Sequence, residues 1–108
     1  MRAATIPVRA CLAALAVMCV AAGPAAASES LAEQHACLNC HQIEKKLVGP
    51  AFKAVAVKYR GQTGAATYLL SKVTQGGSGV WGAVPMPAMP QVPPEDAKKI
   101  VDWLLLLP

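Results

Sequence analysis

The sequence predicts an all-α domain of about four short helices with no significant sheet. Residues 51–59, 63–75 and 94–106 each carry apolar side chains at helical spacing. Residues 76–94 are rich in glycine and proline, which excludes a helix or a central strand there. No segment shows the alternating apolar and polar pattern of a half-buried strand. We therefore expect helices alone to form the core.

Residues 1–27 have the organisation of a cleaved secretory signal peptide. Arg2 and Arg9 give a positively charged start, and the run of residues 10–22 contains no charge. Three alanines at positions 25–27 then offer a small-residue cleavage site. The apolar run is shorter than the roughly 20 residues that a membrane-spanning helix needs. We therefore expect export to the periplasm with cleavage, the alternative being an uncleaved anchor.

Removal of this segment would leave one small domain, residues 28–108, and would change its composition. Two of the ten basic residues would leave and all six acidic residues would stay, so the net charge would fall from +4 to +2. Cys11 and Cys19 would also leave, which excludes a structural disulfide in the remaining domain. This small charge gives no indication of nucleic-acid binding. We expect the mature chain to be a monomer without stable membrane insertion.

A first helix is predicted over residues 28–38. Ser28 or Ser30 can cap its N-terminus, and Glu29 and Glu33 fall in its early turns, where the helix dipole favours negative charge. The cysteine-rich motif described below would lie at its C-terminal end.

Two further helices are predicted before the glycine- and proline-rich segment. The second, over residues 51–59, would bury Val55, Ala56 and Tyr59. The third, over residues 63–75, would begin with Thr63 as its N-cap and end at a pair of glycines. Its apolar face would consist of Tyr68, Leu69 and Val73.

Residues 76–94, which we call the strap, connect the third helix to the last. Five prolines fall within residues 85–94 of this segment, interleaved with Val84, Met86, Met89 and Val92. The strap is too apolar for a solvated linker, so we expect it to be extended and packed. The last helix, residues 94–106, would start with Pro94 in its first turn beside Glu95 and Asp96. Its packing face would consist of Ile100, Val101, Trp103, Leu104 and Leu107.

Cys37-Leu38-Asn39-Cys40-His41 is the most specific motif in the chain. It is the attachment signature of c-type haem. On one helical turn each thiol can add to a different vinyl group of the porphyrin, and His41 can then ligate the iron. A zinc site needs four ligands, and outside the motif only His35 and two signal-segment cysteines could contribute. A thioredoxin-like dithiol would need a βαβ context, which the sequence does not show. One haem c, covalent through Cys37 and Cys40, is therefore the predicted cofactor.

A six-coordinate haem needs a second axial ligand opposite His41. Met86 lies between two prolines that fix its backbone, and Met89 lies in a similar setting three residues later. His35 is expected to be a surface histidine, poorly placed on the same side of the ring, and a lysine is the remaining alternative. From the residues alone Met86 is favoured and Met89 stays open, since methionine also commonly fills gaps in a core. A histidine–methionine pair raises the reduction potential of a haem.

Taken together, these motifs resemble those of the small bacterial class I cytochromes c of the c-551/c-552 type. The likeness covers nearly all of residues 30–107 and includes the attachment motif, Val48-Gly49-Pro50-Ala51, Gly79-Val80-Trp81-Gly82, Val84-Pro85-Met86-Pro87 and a C-terminal helix carrying Trp103. The resemblance implies the class I cytochrome c fold, wrapped around one haem, with His41 and Met86 as iron ligands. It further implies that the Pro50 carbonyl accepts a hydrogen bond from the second ring nitrogen of His41. It also implies that Trp81 donates its indole N–H to a haem propionate.

Three positions depart from the pattern of this family. The family usually has glycine before the first cysteine and an aromatic residue four positions earlier, where the terminal helices cross. This chain has Ala36 and Ala32 there, and Leu31 and Trp103 would repack the crossing. Relatives often have a polar amide near the position of Met89 that can hydrogen-bond the ligand sulfur, and its loss would change the reduction potential.

The resulting prediction is an electron-transfer protein rather than an enzyme, a one-electron carrier between respiratory redox partners. These partners would dock weakly and transiently at the haem edge. The docking rim would consist of Val48, Ala51, Val84, Pro85 and Ala88. Four lysines would either steer an acidic partner or form a solvated face, which is the commoner case: Lys45, Lys46, Lys53 and Lys58.

Two other functions remain as alternatives. The first is a haem subunit of a larger oxidoreductase complex. The second is a peroxidase-like or ligand-sensing haem protein, which needs an open or labile axial position. The two prolines that flank Met86 argue against the second alternative.

Overall fold

The computed structural model describes residues 16–21 and 23–108, and this part of the chain contains four α-helices, one 3₁₀ helix and no strand. The α-helices are α1 (Pro24–Gln34), α2 (Phe52–Tyr59), α3 (Ala65–Gln75) and α4 (Pro94–Leu105), and the 3₁₀ helix is Cys37–Asn39. Two isolated antiparallel bridges pair His41 with Lys46 and Gly77 with Met86. The predicted all-α class is confirmed.

Helix α4 is the centre of the core, because α1, α2 and α3 all pack against it. It begins at Pro94 with Glu95 and Asp96 in its first turn, as predicted, and ends at Leu105, one residue earlier than predicted. Its buried residues follow helical spacing and face the other three helices: Ala97, Ile100, Val101, Trp103 and Leu104.

Helices α2 and α3 agree closely with the sequence prediction except at one N-terminus. Helix α2 buries Phe52, Val55, Ala56 and Tyr59, and α3 buries Leu69 and ends before a glycine. Thr63, however, does not cap α3. The helix begins two residues later, at Ala65, after Gly64 at φ 78°, and no side chain caps it. Gly64 adopts this left-handed conformation without a steric penalty, so the turn before α3 is made by the backbone.

Helix α1 differs from the predicted residues 28–38 at both ends. It begins at Pro24, so Ser28 and Ser30 lie inside the helix and neither is its N-cap. Proline is suited to the first position of a helix and alanine is the best helix former, which explains the earlier start. The helix ends at Gln34 because Ala36 is in the left-handed region, at φ 60° and ψ 17°. This turn directs the chain into the cysteine motif.

The predicted signal segment lies partly outside the described residues, and these undescribed positions include Arg2, Arg9 and Cys11. Residues 16–21 are exposed and have no regular structure, whereas residues 25–27 belong to the first turn of α1. No helix in the described ranges is both long enough and apolar enough to cross a membrane.

The strap contains neither helix nor strand, as predicted, but only part of it is packed. Val92 is buried, and Met86 and Met89 are half-buried. Residues 77–85 are exposed and bend back on themselves, with the N–H of Gly79 donating to the carbonyl of Gly82 at 2.8 Å. The expectation of an extended, packed strap is therefore wrong for residues 77–85. Glycines at positive φ allow the chain to turn there.

Candidate haem-binding site

The cysteine motif forms one tight turn directly after α1. The N–H groups of Cys40 and His41 both donate to the carbonyl of Cys37, at 3.2 and 2.9 Å. Both cysteines are half-buried, and burial raises the pKa of the Cys37 thiol. The turn places two thiols and an imidazole within five residues of backbone, as attachment to one porphyrin requires.

A loop holds the His41 imidazole from one edge. Its Nδ1 lies 2.8 Å from the carbonyl oxygen of Pro50. Because a carbonyl oxygen only accepts, Nδ1 is the donor in this hydrogen bond, and in the neutral imidazole the lone pair is then on Nε2. The histidine is therefore in the tautomer that can ligate a metal through Nε2. The contact that the resemblance implied between Pro50 and His41 is present in the structure.

Two aromatic side chains support the imidazole from the core. The ring of His41 stacks on that of Phe52, with centroids 5.1 Å apart and planes 17° apart. Phe52 in turn meets the ring of Trp103 edge-on at 5.8 Å. Both aromatic residues are buried. The orientation of His41 is thereby tied to the packing of α2 against α4.

Gly49 is a site residue that the sequence analysis missed. A Cβ at this position would lie 2.5 Å from Cε1 and 2.8 Å from Nδ1 of His41, so any side chain would displace the ring. The loop is fixed by the carbonyl of Cys40, which accepts from the N–H groups of Val48 and Gly49 at 3.2 and 2.8 Å. The sequence analysis included Gly49 only as part of the motif Val48-Gly49-Pro50-Ala51, which does not reveal its contact with His41.

Main-chain hydrogen bonds position the two candidate methionines. Met86 exchanges two of these bonds with Gly77, at 2.8 and 3.0 Å, and the N–H of Met89 donates to the carbonyl of Val73 at 2.8 Å. Gly76 permits this approach, because a Cβ there would lie 2.4 Å from the Met86 carbonyl oxygen. In the described part of the chain, neither methionine side chain shares a hydrogen bond with the cysteine motif.

Trp81 lies in the exposed part of the strap and is 40% exposed. The ammonium group of Lys58 lies over its indole ring, with Nζ 5.7 Å from the ring centroid. Lys58 takes part in none of the ion pairs formed among the described residues. Of the other lysines considered above, Lys53 pairs with Glu44 at 2.5 Å, while Lys45 and Lys46 are exposed.

His35 is not the surface histidine that we expected. Its ring is half-buried, and Nε2 lies 2.9 Å from Oδ2 of Asp96 in the first turn of α4. The sequence could not reveal this contact, because the two residues are 61 positions apart. The side chain links the end of α1 to the start of α4.

The donor groups on this face of the molecule fit a covalently bound haem. The motif supplies two thiols for the vinyl groups, and His41 supplies a free Nε2 whose direction is fixed by Pro50, Phe52 and Gly49. In the described residues no three histidine, cysteine or acidic side chains come together as metal ligands. A zinc site at the cysteine pair would therefore lack its other ligands.

Comparisons with known proteins agree with this assignment. The family model for cytochrome c matches residues 25–108. Cytochrome c-552 of Nitrosomonas europaea is 50% identical over 86 residues, which are 80% of this chain and 84% of that protein. Cytochrome c-552 of Hydrogenobacter thermophilus is 49% identical over 84 residues, 78% of this chain and 85% of that one. The crystal structure of the wild-type Nitrosomonas protein superposes with a TM-score of 0.69 over 71% of this chain and 95% of that chain, at 49% identity. These matches confirm the resemblance and the fold that it implied.

Proposed function

Because this chain belongs to the cytochrome c family and binds one haem c through Cys37 and Cys40, we propose that it is a periplasmic one-electron carrier with His41 and Met86 as iron ligands. Members of this family are electron-transfer proteins rather than enzymes. The observation that carries the proposal is the fixed imidazole of His41, whose Nδ1 is held by Pro50 while Nε2 is free. When bound, the haem supplies an iron that alternates between the ferrous and ferric states.

On the His41 side of the haem, the chain keeps this ligand stationary during electron transfer. Its imidazole contacts the carbonyl oxygen of Pro50, the ring face of Phe52 and the backbone of Gly49, where no side chain would fit. A ligand held in this way moves little when the charge on the iron changes. The hydrogen bond to Pro50 also makes Nε2 a stronger donor.

On the second side, Met86 is the better candidate for the distal ligand. Its backbone makes two hydrogen bonds with Gly77, while the backbone of Met89 donates one to Val73 and accepts one from Val92, so the hydrogen bonds alone do not distinguish the two residues. The prolines on both sides of Met86 restrict its backbone further. We assign Trp81 to a hydrogen bond with a haem propionate, through its indole N–H.

We assign partner docking to the exposed apolar residues next to the cysteine motif and strap. Leu47, Val48, Val80 and Val84 are each about half or more exposed, whereas Ala51, which we predicted in the docking rim, is buried. Lys45 and Lys46 are exposed beside the first two and would attract an acidic partner. Such redox encounters are small and transient, which agrees with a monomeric carrier that receives electrons from one respiratory protein and gives them to another. Residues 1–27 would direct export and be cleaved.

Absorption spectra of the purified protein in both oxidation states test the ligand assignment. We expect low-spin bands in both states and, in the ferric state, the weak long-wavelength band of a methionine–iron bond. Met86→Ala should abolish this band, and the matched variant Met89→Ala should retain it. A high-spin ferric spectrum of the unmodified protein would contradict the carrier function, and the opposite result for the two variants would assign Met89 as the ligand.

A further inference from the structure

Lys58 lies between two aromatic rings at the join of α2 and the strap. Its Nζ is 5.8 Å from the ring centroid of Tyr59 and 5.7 Å from that of Trp81. Both distances are within the roughly 6 Å at which a cation is attracted to the face of an aromatic ring. Its place in the last turn of α2 suits a positive charge, because the C-terminus of a helix is negatively polarised.

The indole ring of Trp81 has one other side-chain partner among the described residues, the hydroxyl of Tyr59, and the hydrogen bond from Trp81 partly opposes the rise in the pKa of Tyr59. Trp81 lies between Gly79 and Gly82, both at positive φ, in an exposed turn closed by one hydrogen bond. Tyr59, by contrast, is buried in the core and stacks obliquely on Tyr68 at 5.3 Å. Lys58 therefore connects the glycine-rich turn that carries Trp81 to the aromatic pair of Tyr59 and Tyr68.

We propose that Lys58 is a positioning residue for Trp81, which it holds against the helical core by a cation–π contact, and that its charge stabilises the haem carboxylate that Trp81 binds. The second part rests on the proposed function, because it requires Trp81 to donate to a propionate. The first part rests only on the geometry of Lys58, Tyr59 and Trp81.

The charge of Lys58 has a direct effect on redox behaviour if the ammonium group lies next to that carboxylate. A positive charge near the haem opposes the additional positive charge of the ferric state, so it raises the reduction potential. A nearby lysine, Lys72, has its ammonium over Tyr68 at 5.0 Å and not over Trp81. Among the described contacts, Lys58 is therefore the one cation over the indole, and it reinforces the hydrogen bond between Trp81 and Tyr59.

The test uses the complete haem-loaded protein and three variants. Lys58→Met removes the charge and keeps an apolar stem, Lys58→Arg keeps a cation that can stack on a ring, and Lys99→Met removes an exposed lysine of α4 as the control. Hydrogen exchange of the Trp81 indole N–H is followed by NMR in the reduced protein, and the reduction potential is measured by redox titration.

We expect the indole of Lys58→Met to exchange about two- to five-fold faster, which is the factor that an exposed cation–π contact supplies. Its reduction potential should fall by more than that of Lys99→Met, and Lys58→Arg should restore both properties. Unchanged indole exchange in Lys58→Met, or failure of Lys58→Arg to restore it, would overturn the proposal. Absence of the methionine band from the spectrum of the unmodified protein would contradict the assignment of His41 and Met86 as iron ligands. It would not contradict the role of Lys58, because indole exchange does not depend on the axial ligands.

Discussion

His41 and Met86 are the two proposed iron ligands, and the chain holds them by different means. Side chains of the helical core hold His41, because Phe52 stacks on its ring and Trp103 packs against Phe52. Main-chain hydrogen bonds to Gly77 hold Met86, in a strap whose neighbouring residues are mostly exposed. One proposed ligand is thus positioned by side-chain packing and the other by backbone hydrogen bonds.

This difference determines which substitutions each side tolerates. Around His41, a change in side-chain volume alters the core and therefore the stability of the whole domain. Around Met86, most side chains of the strap can change, but the glycines that allow close approach of the backbone cannot. We therefore expect core substitutions to lower the free energy of unfolding, and strap substitutions to affect mainly the iron–methionine bond.

Trp103→Ala should cause the largest decrease in the free energy of unfolding. Trp103 is 8% exposed and supports Phe52, which in turn supports His41. Truncation of a buried tryptophan typically lowers the free energy of unfolding by about 3–5 kcal/mol. Urea denaturation measures this change. Leu106→Ala, at a residue that is 82% exposed just after α4, is the control and should cost at most about 0.5 kcal/mol. Equal losses in the two variants would show that Trp103 is not part of the core.

Gly76→Ala should disturb the strap around Met86 and leave the helical core around His41 in place. The added Cβ would lie 2.4 Å from the Met86 carbonyl oxygen, at a φ of 70° that alanine rarely adopts. Overpacking of this kind costs about 1–3 kcal/mol, and here the strap should shift and the methionine band should weaken or disappear. Far-UV circular dichroism should remain that of a four-helix protein.

Gly61→Ala is the matched control for this substitution. Gly61 also has positive φ, at 79°, but a Cβ there would meet nothing within 4 Å. This variant should lose some stability through backbone strain and retain the methionine band. Loss of the band in both variants would mean that strain in general, and not the contact at Met86, controls ligation.

The sequence predicted the helical side of the molecule better than the strap. Apolar spacing identified α2 and α4 within one residue, because burial against a core imposes that spacing. The start of α1 was missed because residues 25–27 were assigned to a cleavage site, although alanine is also the best helix former. The bend of residues 77–85 depends on glycine conformations, which composition does not determine.

In the candidate site, likewise, the sequence predicted local motifs but not contacts between distant parts of the chain. The cysteine motif and the proposed ligand Met86 were identified from local sequence, since covalent attachment and flanking prolines are local features. Gly49, Phe52 and the His35–Asp96 pair were not found as site residues. Their roles depend on which surfaces meet in the folded chain, and no pattern of spacing encodes such contacts.

Ala36→Gly should stabilise the protein. Ala36 is the only non-glycine residue with positive φ in the described part of the chain, and it joins α1 to the cysteine motif. Left-handed backbone costs an alanine about 1 kcal/mol relative to glycine, so the free energy of unfolding should rise by about that amount in urea denaturation. Ala32→Gly, at a fully buried position of α1, should lower it by a similar amount. A loss of stability in Ala36→Gly would show that the left-handed turn is not the main constraint at this position.

Tyr59→Phe, at the contact between the core and the strap, should have the smallest effect on the free energy of unfolding, and this effect should depend on pH. Burial, and secondly the side chain of Tyr68, raise the pKa of Tyr59. The folded state therefore favours the neutral phenol. Its contribution to stability is complete below the unfolded pKa of about 10, and it is lost as the pH rises through the higher folded value.

The free energy of unfolding should therefore decrease with pH above about pH 10 in the unmodified protein, and Tyr59→Phe should remove part of that slope. Urea denaturation at a series of alkaline pH values measures it. Tyr68→Phe is the control: it removes the secondary cause but not the burial of Tyr59, so it should retain most of the slope. If Tyr68→Phe instead abolishes the slope while Tyr59→Phe retains it, the burial of Tyr59 is not the source of the alkaline sensitivity.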